Sequence, residues 1–488
     1  MNLENYFSFF RANIIGIDQK FISPFGEQKI VYADWTASGR IYKPIEDKLN
    51  NIVFPFVANT HTETSTTGAT MSIALHESYK IIKKHVGADK NDILISAGAG
   101  MTMLINKFQR ILGLKIHEKY LPRIEIKNRP IVFVTHMEHH SNQTSWMETI
   151  AEVKIIPYTQ EGFIDLEQFK VLLQEYSDRD LKIAAVTSCS NVTGVITPYY
   201  EIAEIMHQNN GFCFVDFACS APYIDINMHP KNIEQRLDAI YFSPHKFLGG
   251  PGATGVLVFN KDLYINKVPD NPGGGTVDWT NPWGERKYVN DIEEREDGGT
   301  PAFLQTIKTA FVLQLKDEMG VKNILDREHE IHKIVWEKLS GLKNVHVLAS
   351  NFTNRLGVYS FYIDNLHFNL AVQLLNDRYG IQVRGGCSCA GTYGHILLNV
   401  AKEQSNVITS SIDNGDLTIK PGWVRMSVHP TMTDDEVYFI VNAIEKLSEN
   451  HLAWSCDYAY NKQTNEFNYI DDDFRLTNQK RVASWFNA

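Results

Sequence analysis

The chain has 488 residues, of which 43% are hydrophobic and 21% are charged, and its formal net charge is -10 at pH 7. This length is too great for one ordinary hydrophobic core, so we expect at least two lobes. The negative charge, with no basic stretch to offset it, argues against a nucleic-acid partner, and no apolar run reaches the roughly 18 residues that a membrane helix needs.

Residues 1 to 20 form an N-terminal segment in which acidic and polar residues interrupt the apolar stretch. No small-residue cleavage site follows, so the pattern is not that of a secretory signal peptide. The chain has six cysteines, which are too few for a disulfide framework at this length. We therefore predict a cytoplasmic protein with reduced cysteines.

Seven short apolar runs have the composition of buried strands. Stretches with helical spacing separate several of them, and one of these stretches, residues 199 to 211, ends in a glycine. This alternation predicts an α/β domain with a mostly parallel sheet over residues 21 to 310. The seven runs are residues 91–98, 129–136, 152–159, 182–189, 211–218, 237–244 and 254–260.

Residues 311 to 450 predict a smaller α+β domain, in which two long helical patterns precede a strand-like stretch and a further helix. A polar segment at about 400–422 interrupts this domain, and we expect it to be an inserted loop. Residues 451–488 are polar and aromatic, which predicts an appended C-terminal tail.

A lysine follows one of the predicted strands, in the sequence AIYFSPHKFLGGPGATGVLVF. Lys246 there is expected at the carboxyl edge of the parallel sheet, where α/β folds bind ligands. Apolar backbone and a cationic neighbour can lower the pKa of a lysine, which suits Schiff-base formation. Ser243 and His245 could bind a phosphate. A surface lysine in a connecting loop fits the local pattern equally well.

Two other segments carry features of a cofactor site. Asp216 ends a predicted strand, where a carboxylate can pair with the protonated pyridine nitrogen of pyridoxal phosphate, although capping the next segment is an equally common role. Residues 96 to 108 predict a strand, a glycine turn and a helix, and the backbone N–H groups of such a junction can bind phosphate. Many such turns only connect a strand to a helix.

Two histidines follow another predicted strand, in the sequence THMEHHSNQTSW. Either His139 or His140 could stack on a flat cofactor ring. With Glu138 the pair could also indicate zinc, but an i, i+4 partner and a third ligand are missing nearby in the sequence, so we predict no metal site.

Cys387 and Cys389 lie one residue apart, in the sequence QVRGGCSCAGTYGH. The pair could hold a metal, act in redox chemistry or supply a nucleophile. A metal site needs two further ligands and His395 alone is not enough, while a disulfide between the two would be strained. A nucleophilic thiol must be deprotonated and mobile, and a glycine-rich loop beside Arg384 favours both properties.

Together these segments resemble the class V branch of fold-type I pyridoxal-phosphate enzymes, most closely the cysteine desulfurase and selenocysteine lyase family. The resemblance runs from residue 31 to about residue 448. It implies a large domain with a mostly parallel seven-stranded sheet, a smaller α+β domain, and pyridoxal phosphate as cofactor. The motifs that carry it occur in order as MEHHSN, SNVTG, VDFA, SPHK, GGGT, GGTP, RGGCSCA and WVRMSVHP.

The resemblance assigns a cofactor site. Lys246 would bind pyridoxal phosphate covalently, Asp216 would face the pyridine nitrogen, and His139 would stack on the ring. Further cofactor contacts would come from Asn191, Ser243, His245, Ala99 and Gly100, and from Thr300, which would reach the phosphate of a partner subunit and so implies a homodimer.

The resemblance also assigns a substrate site and a nucleophile. Arg425 would bind the carboxylate of an amino-acid substrate as a bidentate fork, with Asn191 and Arg384 nearby. The family pattern Arg-x-Gly-x-x-Cys-Ala makes Cys389 the nucleophile and leaves Cys387 without a role. The implied enzyme converts L-cysteine to L-alanine and holds the sulfur as a persulfide for an acceptor protein. In the alternative, a class V lyase or aminotransferase, including selenocysteine lyase, does not use this cysteine as a nucleophile.

Two positions depart from the family pattern. Cys219 stands three residues after Asp216, where the family usually has Gln or His. In the phosphate turn, Gly98, Ala99 and Gly100 replace a Thr-Thr-Glu segment, so mainly backbone donors remain. A third possibility, a scaffold without catalysis, would not need lysine, aspartate, histidine and arginine at all four family positions.

Overall fold

The structure is a computed structural model that describes residues 2–471 and 474–487. No helix in these two ranges is long and apolar enough to cross a membrane. The helices are α1 (Leu3–Ala12), α2 (Lys43–Lys48), α3 (Thr66–His85), α4 (Met101–Ile111), α5 (His140–Met147), α6 (Leu166–Glu175), α7 (Tyr199–Gln208), α8 (Ile292–Arg295), α9 (Phe303–Met319), α10 (Val321–Leu339), α11 (Phe368–Tyr379), α12 (Gly391–Leu397), α13 (Lys402–Asp413), α14 (Asp434–Trp454) and α15 (Phe474–Phe486).

The strands range from two to six residues in length. They are β1 (Lys20–Ser23), β2 (Gly26–Lys29), β3 (Val31–Tyr32), β4 (Asp92–Ala97), β5 (Ile131–Val134), β6 (Glu152–Ile155), β7 (Lys182–Thr187), β8 (Phe212–Asp216), β9 (Ala239–Phe242), β10 (Gly255–Asn260), β11 (Val277–Thr280), β12 (Arg286–Tyr288), β13 (Val345–Val347), β14 (Val358–Ile363), β15 (Ile381–Gln382), β16 (Arg384–Gly386), β17 (Trp423–Ser427), β18 (Tyr458–Asn461) and β19 (Glu466–Tyr469).

The seven predicted strands form one seven-stranded sheet, in the order β4-β10-β9-β8-β7-β5-β6. Strand β10 is antiparallel to both of its neighbours, and the other pairings in the sheet are parallel. Every residue of β5, β7 and β9 is buried, which explains why these strands are continuous apolar runs in the sequence. The predicted α/β fold with a mostly parallel seven-stranded sheet is confirmed.

The carboxyl ends of several strands meet at one edge of this sheet. Asp216 is the last residue of β8, and Ser243 follows β9 directly. Lys246 ends a single 3-10 turn that begins at Pro244. Because β4 runs in the same direction as β9, the turn before α4 reaches the same edge.

A second sheet has four antiparallel strands in the order β13-β14-β17-β16. Helices α10 and α11 both pack against α14 beside it. Arg384 on β16 lies directly opposite Arg425 on β17. The antiparallel pairing therefore places two arginines that are far apart in the sequence next to each other.

The segment at 400–422, expected to be a loop, contains helix α13. Ile408 is buried in this helix, and Asn414 and Gly415 follow its last turn, where the glycine has a φ of 76°. The helix has few apolar residues because most of its surface faces solvent, and so its periodicity is weak in the sequence.

The region after residue 450, expected to be an appended tail, contains the end of α14, the hairpin of β18 and β19, and helix α15. Helix α14 spans the boundary predicted at residue 450, and the hairpin of β18 and β19 packs against α11. The Tyr458 hydroxyl donates a hydrogen bond of 2.9 Å to the Asp377 carboxylate. The Asn369 amide donates to the carbonyl of Asn465. The hairpin is therefore anchored to α11.

Candidate active site

A cavity of about 690 Å³ lies at the carboxyl edge of the seven-stranded sheet. Its walls come from the ends of β7, β8 and β9, from the turn before α4 and from the start of α5. The structure thus brings together residues from five separate parts of the chain. The predicted cofactor residues that line it are Ala99, Gly100, His139, Asn191, Asp216, Ser243, His245 and Lys246.

One end of the cavity is formed by the N-terminus of α4. The Met101 N–H donates to the Ser243 hydroxyl at 3.0 Å, and Thr102 and Met103 also line the cavity. A Cβ atom on Gly100 would lie 3.1 Å from the same hydroxyl, so glycine permits the close approach. First-turn N–H groups without helical partners, together with the helix dipole, favour an anion such as phosphate.

The Asp216 carboxyl and the Lys246 amine face the same cavity. The side chain of Asp216 is buried, and its Oδ1 accepts the Ala218 N–H at 2.8 Å. Burial raises the pKa of Asp216 to about 6, and the Ala218 N–H and the Lys246 charge partly oppose this increase. Burial lowers the pKa of Lys246, while Cys219 and Asp216 act in the opposite direction. At a given pH, Lys246 is therefore neutral more often than an exposed lysine is. Only the neutral amine can react as a nucleophile.

His139 caps the N-terminus of α5 and lines the cavity beside Lys246. Its Nδ1 accepts the Ser141 N–H at 3.1 Å, which leaves the proton of the neutral ring on Nε2. Burial, followed by the charges of Lys246 and of other nearby groups, lowers the pKa of His139 to about 3. The ring is therefore neutral at physiological pH.

Asn191 connects the cavity to the cysteine loop. Its Nδ2 donates to the Ser388 carbonyl at 2.8 Å. Its Oδ1 is buried and has no hydrogen-bond partner within the described chain. Because buried polar atoms are normally paired, this acceptor indicates that a bound group supplies the missing donor.

These residues fit pyridoxal phosphate. The N-terminus of α4 and Ser243 match its phosphate, the Asp216 carboxyl matches its pyridine nitrogen, and the Lys246 amine matches its carbonyl carbon. The unpaired Oδ1 of Asn191 is consistent with a further polar contact.

The two predicted substrate-binding arginines lie outside the residues that line the cavity. Arg425 is buried, and its Nη1 donates to the Asn191 carbonyl at 3.2 Å, directly behind the cavity wall. Both Arg425 and Arg384 form ion pairs with Asp34. The sequence analysis missed Asp34, since an acidic residue after the two-residue strand β3 has no distinctive local pattern.

Cys389 is exposed and does not line the cavity. Ser388 and Cys389 have positive φ angles of 52° and 56°, which are uncommon for residues other than glycine. His140 holds this loop from both sides: its backbone N–H donates to the Cys389 carbonyl at 2.7 Å, and its Nε2 accepts the Gly391 N–H at 2.9 Å. The sequence analysis considered His140 for ring stacking and missed this contact.

Three other cysteines differ in their surroundings. Cys387 is partly buried against a small apolar cluster that contains Tyr393. Cys189 and Cys219 both line the cavity, and each thiol donates to the Ser190 carbonyl at 3.7 Å. Burial raises the pKa of Cys189, whereas the neighbouring Cys189 thiol lowers that of Cys219. A thiol thus occupies the position where the family usually has Gln or His.

Thr300, predicted to contact a partner subunit, is exposed in the connection between α8 and α9. It does not line the cavity of its own chain.

Comparisons with known proteins agree with this architecture. The chain is 28% identical to a probable cysteine desulfurase of Halalkalibacterium halodurans over 366 residues, which cover 74% of this chain and 84% of the relative. It is 24% identical to a cysteine desulfurase of Haloferax volcanii, with 79% and 89% covered.

Two solved structures share the fold. A cysteine desulfurase of Thermococcus onnurineus superimposes with a TM-score of 0.72 at 23% identity, over 90% of this chain and 98% of that one. A cysteine desulfurase of Escherichia coli gives a TM-score of 0.68 at 19% identity, over 92% and 99%. The family described as aminotransferase class-V matches residues 31–439. Because that match covers most of the chain, the protein is an enzyme of the class-V aminotransferase family.

Proposed function

We propose that the protein is a pyridoxal-phosphate-dependent cysteine desulfurase, which converts L-cysteine to L-alanine and transfers the sulfur to Cys389. The observation that carries this proposal is the convergence of Lys246, Asp216 and a neutral His139 on one cavity beside the N-terminus of α4. Relatives named cysteine desulfurase favour this reaction over others of the same family.

Each cavity residue has a proposed task. The bound cofactor supplies an electron sink for the electrons released at the substrate α-carbon. Lys246 holds the cofactor and accepts the α-proton, which its lowered pKa favours. Asp216 keeps a proton on the pyridine nitrogen, and His139 covers one face of the ring.

The substrate side lies between Arg425 and the cysteine loop. Arg425 binds the α-carboxylate, and Asn191 orients the substrate from the cavity wall. The thiolate of Cys389 attacks the substrate sulfur, so that an S–S bond forms as the C–S bond breaks. The electron pair of the broken bond is protonated at the β-carbon, which yields alanine. Since Cys389 is exposed, this step requires the loop to move toward the cavity.

The test uses purified holoenzyme with L-cysteine and a thiol reductant. We expect alanine and sulfide in equal amounts, and Cys389→Ala should release no sulfide while it retains the cofactor absorbance. The control is Cys456→Ala, because Cys456 is exposed in the turn after α14, outside the cavity lining. Undiminished turnover by Cys389→Ala would refute the assignment of the nucleophile.

A second candidate is a class V lyase or aminotransferase, such as a selenocysteine lyase, that does not use Cys389 as a nucleophile. The absence of Cys389 from the cavity lining favours this candidate. It predicts that the wild type releases little sulfide from L-cysteine and that Cys389→Ala leaves alanine formation from L-selenocysteine unchanged. The desulfurase proposal predicts that the wild type releases sulfide from L-cysteine and that Cys389→Ala abolishes this release.

We also propose a cytoplasmic homodimer that delivers sulfur to an acceptor protein. The exposed position of Thr300 supports a role toward a partner subunit. Light scattering should show a dimer, and Thr300→Ala should weaken cofactor binding without a change in the dimer mass. A monomer with full cofactor affinity would contradict this proposal.

A further inference from the structure

Two aspartates and a histidine converge at the edge of the seven-stranded sheet that lies opposite the cavity. One ligand atom from each of Asp89, Asp92 and His229 lies within 4.8 Å of the other two. Asp92 is the first residue of β4, whereas the turn after the last residue of this strand lines the cavity. The six residues of the strand separate the two places by roughly 17 Å. The cluster is therefore distinct from the proposed active site.

Backbone contacts hold the three residues in place. The Asp89 N–H donates to the Asp92 Oδ2 at 2.7 Å, and the Asn91 N–H donates to the Asp89 Oδ1 at 2.6 Å. A main-chain hydrogen bond from Met228 joins the segment before His229 to the residue after α3. Contacts of this kind orient the ligands of a metal. No metal site was predicted from the sequence, in which 137 residues separate His229 from Asp92.

The two carboxylates of the cluster are not balanced by a lysine or an arginine. In the described part of the chain, neither aspartate has such a cation within ion-pair distance. His229 is their common partner, and its Nε2 lies 2.6 Å from the Asp92 Oδ2 and 3.9 Å from the Asp89 Oδ2. Lys83 donates to the backbone carbonyl of Asp92, but its charge is paired with Glu293 at 2.6 Å. Two carboxylates thus face one imidazole.

The Asp92 carboxylate has an unused acceptor. Its side chain is fully buried, and its Oδ1 has no hydrogen-bond partner within the described residues. A proton shared with His229 satisfies Oδ2 alone and leaves Oδ1 unpaired, whereas buried polar atoms are normally paired. A divalent cation on the carboxylate would balance both negative charges and take the place of that proton on the imidazole.

The ligand set indicates which cations fit. One imidazole nitrogen with two carboxylates suits a first-row cation such as Mn²⁺ or Zn²⁺. The side chains of His229 and Asp89 are 26% and 48% exposed, so water can complete the coordination.

We propose that Asp89, Asp92 and His229 bind one divalent first-row transition-metal cation. The cation links the turn after α3 and the loop at His229 to the start of β4, and so stabilises this edge of the sheet. Because the site lies at the opposite end of the strand from the cavity, the cation takes no part in the proposed reaction.

The test is a titration of metal-stripped holoenzyme with Mn²⁺, in which the electron paramagnetic resonance signal of the free ion measures the unbound fraction. Mn²⁺ is the probe because it prefers carboxylate oxygen to thiolate, so the exposed cysteines compete little. We expect one Mn²⁺ per chain. Asp89→Asn removes a charge and His229→Ala removes a ligand, and each should weaken the Kd at least about tenfold.

Thermal unfolding gives a second measurement. Mn²⁺ at about 100 times its Kd should raise the Tm of the wild type by about 3 °C, and the same concentration should leave the Tm of His229→Ala unchanged. An equal rise in both proteins would place the ion elsewhere and overturn the proposal.

His346→Ala is the matched control. His346 lies 2.9 Å from Asp364, which is its one carboxylate partner among the described residues, so it lacks the second carboxylate of the proposed site. This variant should bind Mn²⁺ as tightly as the wild type. Absence of saturable binding to the wild type up to about 1 mM Mn²⁺ would refute the proposal, as would equal Kd values for the wild type, Asp89→Asn and His229→Ala.

Discussion

The cavity at the sheet edge and the loop that carries Cys387 and Cys389 are built in different ways. In the cavity, Asp216 and Ser243 follow directly from β8 and β9, whose residues are almost all buried. In the cysteine loop, two successive residues have positive φ angles. Two residues outside the loop hold it in place: His140 accepts the Gly391 N–H, and Asn191 donates to the Ser388 carbonyl.

The sheet fixes the positions of the reacting groups in the cavity, whereas the position of Cys389 depends on hydrogen bonds between its loop and other parts of the chain. A substitution inside the cavity removes a reacting group from a backbone that the sheet keeps in place. A substitution at His140, which contacts the loop and does not line the cavity, leaves the cavity residues in place and changes where Cys389 lies. The predictions below test this contrast, beginning with the largest expected effect.

Lys246→Ala should lower turnover at least about 10³-fold, because the enzyme loses both the amine that binds the cofactor covalently and the base that accepts the α-proton. No other lysine lines the cavity within the described chain. Sulfide release and cofactor absorbance measure the effect, and Lys231→Ala, at an exposed lysine outside the cavity, is the control. Residual turnover close to that of the wild type would place the reactive amine elsewhere.

Asp216→Asn should change how the stability of the cofactor-free protein depends on pH. The pKa of Asp216 is raised from 3.8 to about 6, so the folded protein binds more protons than the unfolded chain between these values. The free energy of unfolding of the wild type should therefore decrease as pH rises from 4 to 6, by about 2 kcal/mol more than that of the variant.

Urea unfolding at several pH values measures this difference. Asp178→Asn, at an aspartate whose side chain is 81% exposed, should keep the wild-type dependence. Equal pH dependence in Asp216→Asn and the wild type would show that the carboxyl is not desolvated.

His140→Ala should lower sulfide release about fivefold and leave cofactor affinity within about twofold. The variant removes the acceptor for the Gly391 N–H. The loss of this hydrogen bond should destabilise the observed conformation of the loop by about 1 kcal/mol. His140→Gln, which retains an acceptor, should recover part of the activity. Parallel loss of the cofactor would mean that His140 belongs to the cavity and not to the loop.

Cys387→Ser should change sulfide release less than about threefold, the smallest effect of the series. The Cys387 carbonyl accepts the Ala390 N–H at 3.0 Å, and this backbone contact is independent of the side chain. The same assay with Cys389→Ala serves as the comparison. Equal losses in both variants would show that the two thiols act together.

Much of the fold could be predicted from the sequence because strands buried on both faces are continuous apolar runs. Candidate residues such as Asp216 and Lys246 could be predicted for the same reason, since they lie at or just after the carboxyl ends of such runs. The helix α13 was missed because it buries little apolar surface, and the roles of His140 and Asp34 were missed because their partners are distant in the sequence.

The sequence by itself therefore determined the seven-stranded sheet, the family and the residues at the strand ends, since each depends on local pattern or ordered motifs. The tertiary structure decided which of those residues share a cavity and which surround it. Asp34 meets Arg384 and Arg425 across 350 and 391 residues of chain, and His140 meets Gly391 across 251. Such contacts arise only in the folded chain, because no local periodicity determines which distant side chains meet.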